Sequence, residues 1–391
     1  MQSARSAVVA FLCAFAALLV GIWLGGHPES LPGPVRDAFV DEDRALRAEV
    51  VETIKDNFYR PVDEGKLNDA SLKGLVDGLN DQYSHYLTPD EAKQFQESVS
   101  GEFEGVGMNV EEDRRGLKVI RVFDGSPARK AGIGEGDVIL AVDGRSIAGV
   151  NSEVATGRIK GPSGTRVSLQ VFTPGDEGPR TVSVERARIE VPVATGRIVR
   201  RDGHKVGVAE LISFSSGAHG LLEQQVRKVL NRGAEGIVLD LRGNGGGLLS
   251  EAVLVSSIFI EDGKIVSVRG RARPERVEDA EGDAIDQDIP VAVLVDGGSA
   301  SASEIVTGAL RDRDRATVVG TNTFGKGLVQ EVEQLSNGGV LDLTVANYYL
   351  PDGETIGTNG IKPQVRARDN RSTPRDEALP VALETVLDEQ R

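Results

Sequence analysis

The sequence predicts a multidomain α/β protein in which a helical N-terminal segment and a β-rich module accompany an α/β core. Three observations carry this. Apolar residues recur at threes and fours between residues 39 and 98, the mark of helices with one apolar face. Across residues 99–188 the period falls to two, with glycine and proline turns between the alternating runs. Across residues 191–368 a strand, a glycine-rich turn and a helix follow one another twice, at 236–258 and 291–310. Such alternation predicts parallel strands covered by helices, with a site at the strands' C-terminal ends.

Composition narrows the function. With 391 residues, 39% hydrophobic and 27% charged, the chain is an ordinary folded protein with room for two or three domains. A formal net charge of −15 leaves no large basic surface, so no nucleic-acid partner is expected. Cys13 is the only cysteine and lies in the N-terminal apolar stretch, which excludes an internal disulfide, a cysteine nucleophile and a thiolate metal site. His27, His85, His204 and His219 are scattered, and none stands at ligand spacing from a carboxylate. Neither metal nor cofactor is expected.

Residues 1–30 read as a membrane anchor or signal segment. Residues 7–26 carry no charge and follow Arg5, long enough as a helix for a hydrocarbon core of about 30 Å. No clean cleavage site follows, so the reading is an uncleaved signal anchor, its charged end inside. That places the rest of the chain in an extracytoplasmic location, on the periplasmic side of the cytoplasmic membrane. In the segment 39–98, Leu46, Val50, Val51, Ile54 and Phe58 form one apolar face, and Leu72, Leu75, Val76 and Leu79 another. Thr88-Pro89-Asp90-Glu91 has the form of a capping box that starts a third helix. This segment reads as a structural platform. Its first helix, together with residues 379–387 of a helical C-terminal tail (369–391), offers surfaces for a homo-oligomer.

In the β-rich module, Gly105-Val106-Gly107-Met108 forms a glycine-rich entry to a strand, and SPARKAGIGEGDVILAVDG (126–144) and IKGPSGTRVSLQV (159–171) follow. These motifs resemble a PDZ domain. The resemblance implies binding of a peptide C-terminus by strand addition, with the carboxylate received at Gly105, Val106, Gly107 and Met108. Lys160 reads as a solvated lysine.

In the core, the apolar run 291–295 ends at Asp296-Gly297-Gly298, and serines 299, 301 and 303 open a helix. Lys326 stands between two glycines, with Gln330 four residues on. Serines at a helix start are usually caps, and Gly-Lys-Gly is usually an exposed loop, so these two features leave a Ser/Lys pair undecided. The glycine turn RGNGGG (242–247) lacks the Lys-Ser/Thr of a P-loop and the order of a dinucleotide fingerprint. Backbone donors for an oxyanion are its better use.

DLRGNGGG (240–247), DGGSASASEIVTGAL (296–310), TFGKGLVQ (323–330) and DGETIGTNGIKP (352–363) occur in that order behind the PDZ-like module. Together they resemble the carboxyl-terminal processing peptidases, or tail-specific proteases. The resemblance implies a crotonase/ClpP-like α/β protease core with the PDZ-like domain inserted. It implies a serine endopeptidase with Ser301 as nucleophile, Lys326 as general base and Gln330 as the residue that orients it. Backbone N–H groups of Ala302 and of one glycine among Gly245, Gly246 and Gly247, with Gly246 preferred, would form the oxyanion hole. It also implies protein substrates with exposed C-terminal tails, an adaptor or activator protein, and a PDZ domain acting as a gate. The chemistry is coherent: a free lysine near pKa 10.4 is protonated, so Lys326 must lie in an apolar setting, which Phe324 is expected to supply. A catalytically silent scaffold and an acyl-transfer hydrolase on the same core are the rival classes.

Overall fold

The computed structural model describes Phe15 and residues 42–369 and 375–389. Apart from Phe15, the anchor expected at 7–26 lies outside the described residues. Among those described, no helix is long and apolar enough to cross a membrane. The chain forms two compact units, Met1–Gln82 and Tyr83–Arg391. The first contains α1 (Glu42–Asn57) and α2 (Glu64–Asp77). Asp63 caps α2 by accepting from the N–H groups of Gly65 and Lys66. Leu46, Val50, Leu75 and Leu79 are exposed, so much of the expected apolar faces is open to solvent.

The second unit begins with β1 (His85–Leu87) and α3 (Pro89–Ser100). Thr88 and Glu91 form the capping box, with Thr88 N–H donating to Glu91 Oε2 at 2.8 Å. Gly101, at φ 68°, ends the helix in the left-handed region. The β-rich module follows: β2 (Glu102–Gly105), β3 (Met108–Asp113), β4 (Gly116–Val122), α4 (Pro127–Lys130), β5 (Val138–Val142) and β6 (Arg145–Ser146). It continues with α5 (Ser152–Ile159), β7 (Arg166–Phe172), β8 (Arg180–Glu185) and β9 (Ala187–Glu190). Its sheet runs β3-β4-β5-β7-β8 and closes on Leu117, Val119, Ile139 and Leu169, all without solvent exposure. Strand β3 is an edge. Strands β2 and β9 pair antiparallel, so the chain enters and leaves the module through one two-stranded neck.

The core contains β10 (Ala194–Arg201), β11 (His204–Leu211), α6 (Ala218–Asn231), β12 (Gly236–Asp240), α7 (Leu249–Ser257), β13 (Lys264–Gly270) and β14 (Arg276–Asp279). Then come β15 (Val291–Val295), α8 (Ala302–Asp312), β16 (Thr317–Gly320), β17 (Leu328–Gln334), β18 (Val340–Tyr349), β19 (Val365–Arg366) and α9 (Ala378–Asp388). One sheet has the order β10-β11-β12-β15-β16-β19 and is parallel from β11 onward. Strands β12 and β15 are buried at every residue, which is why they read as unbroken apolar runs rather than alternations. Ile237, Leu239 and Val293 pack with Leu222, Val255 and Ile305 of α6, α7 and α8. Val238, Ala292 and Leu294 pack on the other face with Leu383 and Val386 of α9. The parallel strands therefore end together, and the turns after β12 and β15 meet.

A second sheet, β1-β18-β13-β14 with β17 also on β18, forms the other wall of the core. Residues 271–288 show no pattern in sequence, yet they contain β14, paired antiparallel with β13. An edge strand with three of its four residues exposed needs no apolar alternation, so periodicity misses it. Truncation of Leu383, 3% exposed against the sheet, is expected to destabilise the core. Leu383→Ala should lose about 2–5 kcal/mol in denaturant unfolding, and the exposed neighbour Glu384→Ala well under 1 kcal/mol.

Candidate active site

The turn after β15 carries the serines. Asp296 Oδ1 accepts the N–H groups of Gly243 (2.8 Å) and Gly298 (2.9 Å), and Ser299 Oγ donates to the Leu241 carbonyl at 2.8 Å. Ser299 is thus a turn brace. Buried Asn244 joins the two turns. Its carbonyl accepts from Ala300 N–H (3.0 Å) and from Ser303 Oγ (2.8 Å), while its side-chain amide donates to the Leu211 carbonyl at 2.8 Å. Ser301 is held between these braces at φ 55° and ψ −113°, as the N-cap of α8. A non-glycine residue there costs about 1–3 kcal/mol and persists only where its surroundings over-determine it. Ser301 is 8% exposed, so its hydroxyl is presented from a rigid, nearly buried turn.

Glu304 is the residue that sequence reasoning passed over. It is 0% exposed, three residues after Ser301. Its Oε2 accepts the N–H groups of Ser301 and Lys326, each at 2.8 Å. Its Oε1 accepts Gly325 N–H at 2.8 Å and the Thr323 hydroxyl at 2.5 Å. A buried carboxylate is tolerable only when so satisfied. The signal was available, since Ser301-x-x-Glu304 has the form of a capping box; its reach to residues 323–326 was not.

Ser301, Lys326 and Gln330 open into one cleft of about 920 Å³. Its apolar wall includes Leu248, Val268, Val329, Ala346 and Tyr348, and Gly245 and Gly247 line it too. Burial pushes the Tyr348 hydroxyl up to about 12, which shows how poorly solvated that wall is. Phe324 does not supply the apolar setting expected of it. Its N–H is tied to the Ser299 carbonyl at 2.9 Å and its ring is 54% exposed. Lys326 is half-buried, and its Nζ lies over the Tyr83 ring, 5.0 Å from the centroid. Among the described residues no hydrogen bond joins Lys326 to Gln330, whose amide Nε2 instead donates to Thr344 Oγ1 at 3.4 Å.

Of the two expected oxyanion donors, Ala302 is the first residue of α8, where a backbone N–H has no partner within the helix. The N–H of Gly246 is occupied, donating to Asn244 Oδ1 at 2.9 Å. What Gly246 contributes is space: a Cβ there would lie 2.9 Å from Ser301 Cβ and 3.0 Å from Ala302 N. Gly245 and Gly247 line the cleft that Ser301 opens into.

A separate groove of about 540 Å³ runs between edge strand β3 and α5, lined by Gly105, Val106, Gly107 and Met108. Lys160 also lines it and is not simply solvated: its Nζ pairs with Glu97 Oε2 of α3 at 2.6 Å and lies over the Phe103 ring. On the far side of Glu97, Phe95, Gln96 and Val99 of α3 line the serine cleft.

Comparison with known proteins agrees with this architecture. Residues 205–367 match Peptidase family S41, and residues 94–172 match the PDZ domain. The carboxy-terminal processing protease CtpA of Bacillus subtilis is 38% identical over 317 residues, covering 81% of this chain and 67% of that protein. A probable CtpA-like serine protease of Staphylococcus aureus is 37% identical over 338 residues, covering 86% of this chain and 66% of that protein. The chain thus spans about two thirds of the length of these relatives. A solved photosystem II D1 C-terminal processing protease is similar with a TM-score of 0.50 and 28% identity, over 89% of this chain and 97% of that one.

Removal of the Glu304 carboxylate should be felt at the serine. Glu304→Ala leaves four donors unpaired in a buried site, and a misplacement of about 1 Å is enough for roughly a 10²-fold loss of kcat. Steady-state kinetics with a thermal melt at each step would check this; wild-type kcat in the folded variant would show that the carboxylate holds nothing catalytic.

Proposed function

Because the chain belongs to peptidase family S41, as a C-terminal processing serine protease with a PDZ domain, we propose that it cuts extracytoplasmic proteins near exposed C-terminal tails, using Ser301 as nucleophile and Lys326 as general base. The observation that carries this reading is the shared cleft. A strained serine at a helix N-terminus and a lysine that forms no ion pair with a carboxylate among the described residues face the same poorly solvated space.

In this reading Ser301 Oγ attacks the scissile carbonyl as its proton passes to Lys326 Nζ. The tetrahedral oxyanion is accepted by Ala302 N–H and by a second amide from Gly245 or Gly247, at the positive end of α8. Lys326 then returns the proton to the leaving amine, and water hydrolyses the acyl-enzyme by the same route. Gln330 acts as a positioning residue, and a move from Thr344 to Lys326 on substrate binding would orient the base.

The groove beside β3 receives the substrate's C-terminal strand, its carboxylate at the Val106–Met108 turn. The Lys160–Glu97 pair supports a gating role for the module, since α3 touches both the groove and the serine cleft. The uncharged stretch 7–26 anchors the protease on the outer side of the cytoplasmic membrane, where an adaptor protein or a second copy would have access to it.

The decisive assay is cleavage of an unstructured reporter that ends in a free apolar carboxyl terminus, beside the same reporter amidated. Cleavage should require both the free terminus and Ser301; Ser301→Ala should still bind the tail, and retained turnover would reassign the nucleophile. Gly246→Ala should lose roughly 10²-fold in kcat, because its Cβ would lie 2.7 Å from the Ala300 carbonyl oxygen and 2.9 Å from Ser301 Cβ and so displace the serine by a fraction of an ångström or more. Deletion of the PDZ domain should change cleavage of tailed substrates, and unchanged rates on every substrate would remove the gate from this account.

A further inference from the structure

The Lys326 side chain is held by an element that none of the catalytic motifs contains. Its Nζ lies 5.0 Å from the centroid of the Tyr83 ring, in the turn that precedes β1. Strand β1 pairs antiparallel with β18, His85 opposite Asp342, which fixes that turn beside the cleft. The next residue, Ser84, accepts Thr344 N–H at 3.0 Å, and Thr344 is the partner of the Gln330 amide. One dipeptide, Tyr83-Ser84, therefore touches the base directly and the orienting glutamine through a single intermediary.

We propose that Tyr83 is a positioning residue for the general base: its ring face holds the Lys326 ammonium in a resting pose, and release from the ring accompanies activation. The inference rests on the Ser301/Lys326 reading above. An aromatic face attracts the ammonium form and has no equivalent attraction for the neutral amine. A lysine that must accept a proton is therefore restrained by the ring in the state that cannot do so.

The charged and titratable groups near Lys326 do not offer a competing restraint. Glu304 binds the Lys326 backbone N–H rather than Nζ. On the walls of the cleft, Arg273 pairs with Glu331, Glu275 with Arg269, and Arg276 with Glu278. Asp342 and the Tyr348 hydroxyl face the same space. Among the described residues, none of these carboxylates forms an ion pair with Nζ.

The test is the pH dependence of kcat/KM for the full-length chain on the unstructured reporter, compared across Tyr83→Leu, Tyr83→Phe and Tyr83→Trp. Loss of the ring in Tyr83→Leu should move the half-maximal point to lower pH by roughly half to one unit, which is about a three- to tenfold higher rate, relative to its own plateau, on the acid limb. Tyr83→Phe keeps a ring face and should retain the wild-type profile. Tyr83→Trp, a stronger cation–π partner, should move the half-maximal point the other way, so the proposal stays testable if the leucine variant fails to fold. Profiles of folded Leu and Trp variants that superimpose on wild type, or rates scaled equally at every pH, would overturn it and leave Tyr83 a packing residue. A wild-type profile that is itself flat would overturn the lysine-base reading beneath it, a different outcome from a rising profile that ignores Tyr83.

Discussion

One buried carboxylate ties the catalytic half of this molecule together. Glu304 receives the backbone of Ser301, the hydroxyl of Thr323 and the backbones of Gly325 and Lys326. Thr323 in turn accepts Ile361 N–H at 2.6 Å, which draws in the segment that leads to β19. An unpaired carboxylate in that position would be far costlier than any single surface contact, so the four donors have little freedom to move separately. That rigidity is what lets Ser301 keep a backbone conformation that a serine elsewhere would leave. Ser301 and the backbone of Lys326 are consequently positioned as one piece.

The side chains have partners other than those of the backbones that carry them. Lys326 rests on an aromatic ring, Gln330 on a threonine, and the two do not meet. Catalytic hydrogen bonds are often long or poorly aligned before substrate arrives. The turn before β1, which carries Tyr83, and α3 with its Lys160–Glu97 pair lie outside the parallel sheet.

Much of this was legible in the chain. The unbroken runs of β12 and β15 announced strands buried on both faces, and the glycines after each announced turns that could approach one another. Thr88 and Glu91 marked the start of α3 because a capping box is a local device, satisfied within four residues. The order of four short motifs behind a β-rich module pointed to one protease family, although each motif alone was compatible with a cap or a loop.

What the sequence determined by itself is therefore most of the elements and the family, with Ser301 and Lys326 singled out as candidates, since periodicity, turn chemistry and motif order are local properties. What only the tertiary structure decided is the company each residue keeps. Gly246 has its N–H consumed by Asn244 and serves as empty space. Phe324 turns outward, and Tyr83 rather than Phe324 meets the lysine. Strand β14 forms in a stretch without pattern because β13 supplies its hydrogen bonds. Each of these depends on groups brought together by the meeting of strand ends or by pairing across a sheet, and distance in space is not written in the spacing of the chain.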